Sequence, residues 1–203
     1  MKIKIDEGFS FTDIDYMTVK EIDKEIGWPM DYVSTLHLVT YISRLKGDVT
    51  GVEIGTCRGE GAYLILEKCS NVKKIYTIDP YVEYMDWIGV IKQEILDKQE
   101  EIAKKNFEEF GDRVEMIRST AEEAAVRFED ESLDFIFIDG DHSEQHVYND
   151  MMKYYPKLKK GGIFAGNGYV FESVKAGIKK FQNETKVRTP IQKGGQSTWF
   201  FYK

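Results

Sequence analysis

Between residues 49 and 184, short hydrophobic runs alternate with segments whose apolar residues recur at helical spacing. That alternation confines the chain to βαβ units around a mostly parallel sheet. The runs predict strands over 49–54, 74–78, 113–117, 133–138 and 162–165. Four apolar stripes separate or follow them: Ala62, Ile65, Leu66 and Cys69; Tyr84, Ile88, Ile91, Ile95 and Ile102; Val147, Met151, Tyr154 and Leu158; Val170, Val174, Ile178 and Phe181. Each stripe can cover a sheet face. Downstream, 186–191 and 196–202 read as two further strands, joined through the paired glycines of "QKGGQ" into an antiparallel hairpin. The expected architecture is a doubly wound α/β fold with seven strands. Residues 31–46 read as a helix, and the region before it as a cap over the strand ends. The chain is therefore taken as one domain over 1–203, with a cap over 1–48 and the sheet over 49–203.

A chain of 203 residues can bury one sizeable core, and 42% hydrophobic with 31% charged residues is an ordinary globular proportion. The net charge of -7 and the lack of a Lys/Arg cluster argue against a nucleic-acid partner. The pairs Lys73–Lys74, Lys159–Lys160 and Lys179–Lys180 read as solvated surface. No apolar run approaches the ~20 residues of a membrane helix, and residues 1–10 alternate charge with isoleucine, so a cytoplasmic protein is expected, with a homo-oligomer compatible. Cys57 and Cys69 have no metal-site spacing and are expected as free thiols.

The first strand runs into "VEIGTCRGEG", residues Val52 to Gly61. Gly55 and Gly59 allow positive φ and close backbone approach, so amides at the following helix start can face a polar ligand; a purely structural turn would use the same glycines. The second strand ends in "YTIDP", placing Asp79 24 residues after Gly55. An acid ~20 residues beyond such a turn suits a ribose diol; the alternative is a cap on the turn before Pro80. A nicotinamide dinucleotide would call for glycine where Cys57 stands, and Glu53 would repel its pyrophosphate. Glu53 instead favours a ligand carrying positive charge.

Taken in order, "VEIGTCRGEG", "IYTIDPY", "STAEEA", "LDFIFIDGDHS" and "LKKGGIFAG" resemble the class I S-adenosylmethionine-dependent methyltransferases. Within these the chain is most similar to the branch that includes the macrocin and mycinamicin sugar O-methyltransferases. The resemblance covers about residues 49–184 and implies a Rossmann-like sheet with S-adenosylmethionine as cofactor. It implies that Glu53, Gly55, Thr56 and Gly59 hold the methionine portion, that Asp79 binds the ribose hydroxyls, and that Ser119, Thr120 and Ala121 border the adenine.

The segment "FIDGDHSEQH" holds two of the three histidines. At the carboxyl end of a central strand of a parallel sheet it should lie beside the cofactor's reacting group. A hydroxyl acceptor must lose a proton as it attacks, through a base or an acidifying metal. His142 suits the first role, and Asp139 the second as a hard oxygen ligand. The resemblance assigns them those roles, with Asp139 also beside the cofactor. Its pattern places a second acid after the fifth strand; this chain has "FAGNGYV", leaving Asp139 and the amide of Asn167 as a weak set for Mg²⁺ or another divalent ion. His146 and Asp141 can equally be surface and helix-capping residues, and His37 a helix histidine.

The reading is an S-adenosylmethionine-dependent methyltransferase acting on a small-molecule or sugar hydroxyl. The alternatives are a protein that binds the cofactor without transfer and, less favoured, a nicotinamide-dependent oxidoreductase.

Overall fold

The computed structural model describes residues 32–86, 89–194 and 197–203. Residues 1–31 of the expected cap over 1–48, with Ile88 and Gln196, lie outside them.

Helix α1 (Tyr32–Ile42) precedes strand β1 (Val49–Ile54), helix α2 (Glu60–Lys68) and strand β2 (Val72–Ile78). A short hairpin, β3 (Tyr84–Asp86) and β4 (Gly89–Ile91), leads to α3 (Gln93–Phe107). Then come β5 (Val114–Ile117), the single turn α4 (Ala121–Ala124), β6 (Leu133–Ile138), α5 (Glu144–Tyr154), β7 (Leu158–Gly166), α6 (Glu172–Thr185), β8 (Gln192–Gly194) and β9 (Thr198–Tyr202). Seven strands form one sheet in the order β5-β2-β1-β6-β7-β9-β8. β5, β2, β1, β6 and β7 pair in parallel, whereas β9 is antiparallel to both β7 and β8. The Rossmann-like, doubly wound sheet and its terminal hairpin are as the alternation predicts.

Successive residues on the central strands face opposite layers. Phe135, Phe137, Ile163, Ala165 and Phe200 pack with Leu38 and Ile42 of α1 and with apolar residues of α2 and α3. Ile136, Ile138, Phe164 and Phe201 pack on the other side with Val147, Met151 and Tyr154 of α5 and with Val174, Ile178 and Phe181 of α6. The carboxamide of Asn71 donates to the carbonyls of Ile42 (2.9 Å) and Leu45 (3.0 Å), which ties the end of α1 to the start of β2.

Three elements depart from the pattern. The stripe from Tyr84 to Ile102 is not one helix: Tyr84 and Ile91 pair across the β3–β4 hairpin, and α3 starts only at Gln93. The β-branched pair Val90–Ile91 after Gly89 favours extended backbone. The buried face of α3 is Leu96, Glu100, Ala103 and Phe107, while Ile95 is 44% exposed. The strand expected over 186–191 is absent, and the first hairpin strand is Gln192–Gly194. Pro190 lacks a ladder donor, and the segment is drawn back to α6, with Gln182 Nε2 donating to the Thr189 carbonyl at 3.1 Å and Arg188 Nη1 to the Gln182 carbonyl at 2.9 Å. Val170 precedes α6 and is 58% exposed, so it does not join that helix's buried stripe.

Two positions show how tightly the layers are set. Gly51 of β1 pairs with Phe135 of β6, and a Cβ on Gly51 would sit 2.1 Å from the Phe135 ring. On α5, Asp150 is half-buried; burial, with Asp141 adding, pushes its carboxyl up to about 7.

Gly51→Ala should cost about 1–3 kcal/mol in urea unfolding through overpacking, and adding Phe135→Leu should recover part of that loss; additive destabilisation in the double variant would contradict the packing account. For Asp150, the folded state holds a proton that the unfolded chain releases near 3.8, so stability falls as pH rises from 3.8 through about 7. Asp150→Asn should therefore melt above the wild type at pH 8, with the difference vanishing near pH 4. A difference independent of pH would show that Asp150 does not titrate in this way.

Candidate functional site

The sheet order reverses at β1, which lies between β2 and β6. Loops leaving the carboxyl ends of these strands diverge to opposite sides, opening the crevice in which parallel sheets bind ligands. Gly55–Gly59, Asp79–Tyr81, Ser119–Ala121, Asp139–Ser143 and Asn167–Phe171 all follow carboxyl ends of parallel strands.

The glycine turn is fixed from three sides. Gly55 has φ 94°, and a Cβ there would lie 2.3 Å from the Asp139 carbonyl oxygen, so glycine permits the β1 and β6 loops to meet. Gly59 stands at the N-terminus of α2 with φ 82° against the Phe107 ring. Between them Cys57 takes a left-handed conformation, φ 47°, uncommon for a residue with a Cβ. Asp79 explains how it is held: Oδ2 accepts from the Cys57 amide at 3.0 Å and Oδ1 from the Tyr81 amide at 2.9 Å. Tyr81, also left-handed at φ 47°, donates its hydroxyl to the Cys57 carbonyl at 2.8 Å. Burial raises the Asp79 carboxyl, while the amides of Cys57, Tyr81 and Thr56 pull it down. Cys57 and Cys69 are free thiols, both pushed up to about 12 by burial.

Glu53 is buried under this turn. Its Oε1 occupies the place a Gly61 side chain would need, and the Ala62 amide bonds the carboxyl. Oε2 is buried with no hydrogen-bond partner among the described residues. Burial drives the Glu53 carboxyl well above its ordinary range, and Asp139 and Glu60 push it further. Thr56, three residues on, is also buried. Arg58, not singled out from the sequence, has a side chain only 4% exposed, with Nε 2.5 Å from Glu60 Oε1.

Ser119 and Thr120 serve first as a helix start. Thr120 and Glu123 form a capping box around α4, and the Ser119 hydroxyl donates to Glu123 Oε2 at 3.2 Å. The Ala121 carbonyl accepts from the Tyr154 hydroxyl at 2.8 Å. These contacts set the position of the 119–121 backbone.

On the β6 loop, Asp139 and His142 come together, with Asp139 Oδ1 3.8 Å from His142 Nε2. The imidazole lies over Gly168, where a Cβ would be 2.1 Å from Cδ2, and its centroid is 5.4 Å from that of Phe171. The Ser173 hydroxyl anchors the His142 carbonyl at 2.7 Å. Gly168 and Phe171 thus position His142, a role that no spacing in the sequence reveals. Asp141 and His146 are engaged in the start of α5: Asp141 Oδ1 accepts from the Ser143 amide, and His146 Nδ1 lies 2.8 Å from the Ser143 hydroxyl, which caps the helix. His37 is half-buried on α1. The amide of Asn167 bonds the Ile138 carbonyl, and its Oδ1 is buried without a partner among the described residues. Among those residues no group of three His, Cys, Asp or Glu side chains could hold a metal ion. One carboxylate with one amide oxygen does not match the six or more oxygen ligands of a divalent cation unless water supplies most of them. No described helix is long and apolar enough to cross a membrane.

Comparison with known proteins agrees with this geometry. A methyltransferase domain profile matches residues 52–169, from the middle of β1 to the loop after β7. Uncharacterized protein R132 of Acanthamoeba polyphaga mimivirus is 34% identical over 131 residues, 61% of this chain and 53% of its own. The chain spans about half the length of the curated relatives it matches. Among solved structures, the O-methyltransferase from Bacillus cereus in complex with SAH superposes with TM-score 0.65 at 19% identity, covering 92% of this chain and 90% of that one. A methyltransferase from Geobacter sulfurreducens gives 0.63 at 18%, covering 92% and 86%. The two structures share the fold; the profile, matching more than half the chain over the strands and loops of the crevice, shows that the protein belongs to the methyltransferase domain family.

Proposed function

We propose that the chain, as a single domain over 1–203 and in the manner of the macrocin and mycinamicin sugar O-methyltransferases it resembles, transfers a methyl group from S-adenosylmethionine to a hydroxyl of a small molecule, such as a sugar or natural product. The observation that carries the reading is Glu53. A carboxyl buried beneath a glycine turn at the switch point, with one oxygen unmatched among the described residues, is suited to an ammonium group. The names of relatives support it, as O-methyltransferases recur among both sequences and structures, one of them in complex with SAH.

In this reading Glu53 takes the ammonium of the methionine portion, with Gly55, Thr56 and Gly59 shaping the turn around it. The ribose hydroxyls donate to lone pairs of Asp79 left over from the Cys57 and Tyr81 amides, and the 119–121 backbone borders the adenine. When bound, the cofactor supplies an electrophilic methyl group to the attacking oxygen. His142 takes the proton that the hydroxyl loses, and Asp139 Oδ1, 3.8 Å from Nε2, steadies the resulting imidazolium. No step is assigned to a metal, since Asp139 and Asn167 are a weak donor set for a divalent ion.

Isothermal titration with S-adenosylhomocysteine (SAH) tests the cofactor site. Asp79→Ala should weaken binding at least about 10-fold. Because Asp79 also braces the turn, Tyr81→Phe is the control, since it removes the bond to the Cys57 carbonyl and leaves the carboxylate. Equal losses in the two variants would assign Asp79 to the turn alone. For the base, transfer of labelled methyl to hydroxylated metabolites should fall about 10²–10⁴-fold in His142→Ala, with SAH affinity changed by less than about 2-fold. Undiminished turnover would remove His142 from the reaction, and wild-type protein that binds SAH but transfers to no hydroxyl would reduce the chain to a cofactor-binding protein.

A further inference from the structure

The proposed cofactor half of the crevice gathers acids, whereas the segment after β7 brings apolar surface and cations to the side of His142. Phe171, whose ring centroid is 5.4 Å from that of His142, is 49% exposed, and Val170 beside it is 58% exposed. The terminal hairpin fixes this segment. The Gly168 amide donates to Ser197 Oγ at 3.0 Å, the Tyr169 amide to the Ser197 carbonyl at 2.8 Å, and Trp199 Nε1 to the Asn167 carbonyl at 3.0 Å. The same hairpin delivers Lys193. It pairs with Trp199, which pairs in turn with Gly166, so Lys193 stands level with the carboxyl end of β7. Two ammonium groups flank the Tyr169 ring, Lys193 Nζ 5.0 Å and Lys175 Nζ 5.8 Å from its centroid. Glu172 neutralises Lys175 at 2.6 Å. Lys193 is exposed and has no carboxylate partner among the described residues.

Resting on the transferase reading above, we propose that Lys193 binds an anionic group of a sugar acceptor, a carboxylate or a phosphate, while the exposed part of Phe171 takes the apolar face of the sugar ring. Three strand spacings of about 4.8 Å separate β8 from β6, the strand that leads to His142. The Lys193 side chain reaches back over part of that span to Tyr169. The anion therefore stands across a sugar ring from the methylated hydroxyl, not beside it. An anion approaching a chain of net charge -7 meets overall repulsion, so a local unpaired cation decides whether it binds. A neutral sugar needs only the Phe171 surface and leaves Lys193 without a task. The competing role is structural, in which Lys193 only covers the Tyr169 ring through a cation–π contact.

Matched acceptors separate these roles: neutral hexoses, the corresponding hexuronic acids and the corresponding hexose 1-phosphates, each assayed for transfer of labelled methyl from S-adenosylmethionine. Wild-type kcat/KM should be about 5- to 10-fold higher for anionic members than for their neutral counterparts, as an exposed ammonium allows. The better of the two anionic sets distinguishes carboxylate from phosphate. Lys193→Gln should bring the ratio close to one through KM, Lys193→Arg should keep most of it, and high salt should shrink it in the wild type. SAH affinity within about 2-fold of wild type in both variants reports that the site still folds. A wild type that methylates neutral and anionic members equally, or a ratio unmoved in Lys193→Gln, would overturn the proposal while leaving the transferase reading intact. SAH binding with transfer to none of the three sets would overturn the proposal and leave the cofactor reading. A wild type that does not bind SAH would overturn the cofactor reading itself.

Discussion

The carboxylate of Asp79 is the interaction on which the crevice depends. Cys57 and Tyr81 both hold left-handed backbone, at about 1–3 kcal/mol each for residues with a Cβ. Asp79 accepts an amide from each of them, and Tyr81 closes the loop with its hydroxyl on the Cys57 carbonyl. Hydrogen bonds to a charged acceptor contribute about 1.5–3 kcal/mol apiece, enough to offset strain of that size. The loops after β1 and β2 therefore act as one rigid unit. Without that unit, Glu53 would lie beneath a turn of no fixed shape, and neither the proposed ammonium site nor the proposed ribose site would be preformed.

That unit is also strongly acidic. Glu53, Glu60, Asp79 and Asp139 converge on it, and Asp139, Glu60 and Asp79 all raise the Glu53 carboxyl. Burial contributes most to disfavouring the ionised form of Glu53. A ligand with a positive end would oppose that shift, because its charge favours the ionised carboxylate. The same charges disfavour a pyrophosphate, so the objection to a nicotinamide dinucleotide, raised from Glu53 alone, is reinforced by three further acids.

Strands buried on both faces were the most legible part of the chain. β1 and β6 run over 49–54 and 133–138 as expected, because an unbroken apolar run of that length has few other places to go. Helix α3 was misread because its buried face includes Glu100, whose carboxylate is matched by Arg118 at 2.8 Å and Lys104 at 2.7 Å. A paired acid can occupy a position where periodicity expects a hydrophobe, and the exposed Ile95 then misleads by one residue. The site divided in the same way. The acids and glycines of the candidate site can be named from the sequence because their chemistry is local, whereas Gly168 under the His142 ring and the tie from Tyr81 to Cys57 span 26 and 24 residues and follow only from tertiary packing.

Asn167 is the place where the chain departs from the pattern it otherwise resembles, and its surroundings show what the departure does. Its carbonyl accepts from Trp199 Nε1 at 3.0 Å and its amide donates to the Ile138 carbonyl, so the backbone at the end of β7 is fixed by the terminal hairpin on one side and β6 on the other. A carboxylate there would add a second negative charge to that of Asp139 and move the pair towards cation binding. The neutral amide adds none. In the proposed reaction the hydroxyl proton must therefore go to a base, and the arrangement supports one: Gly168, next in sequence, leaves the space that the His142 ring fills, and Asp139 Oδ1 stands 3.8 Å from its Nε2 as counter-charge. In that proposed reaction a neutral residue at 167 leaves proton removal to His142, with Asp139 as its counter-charge.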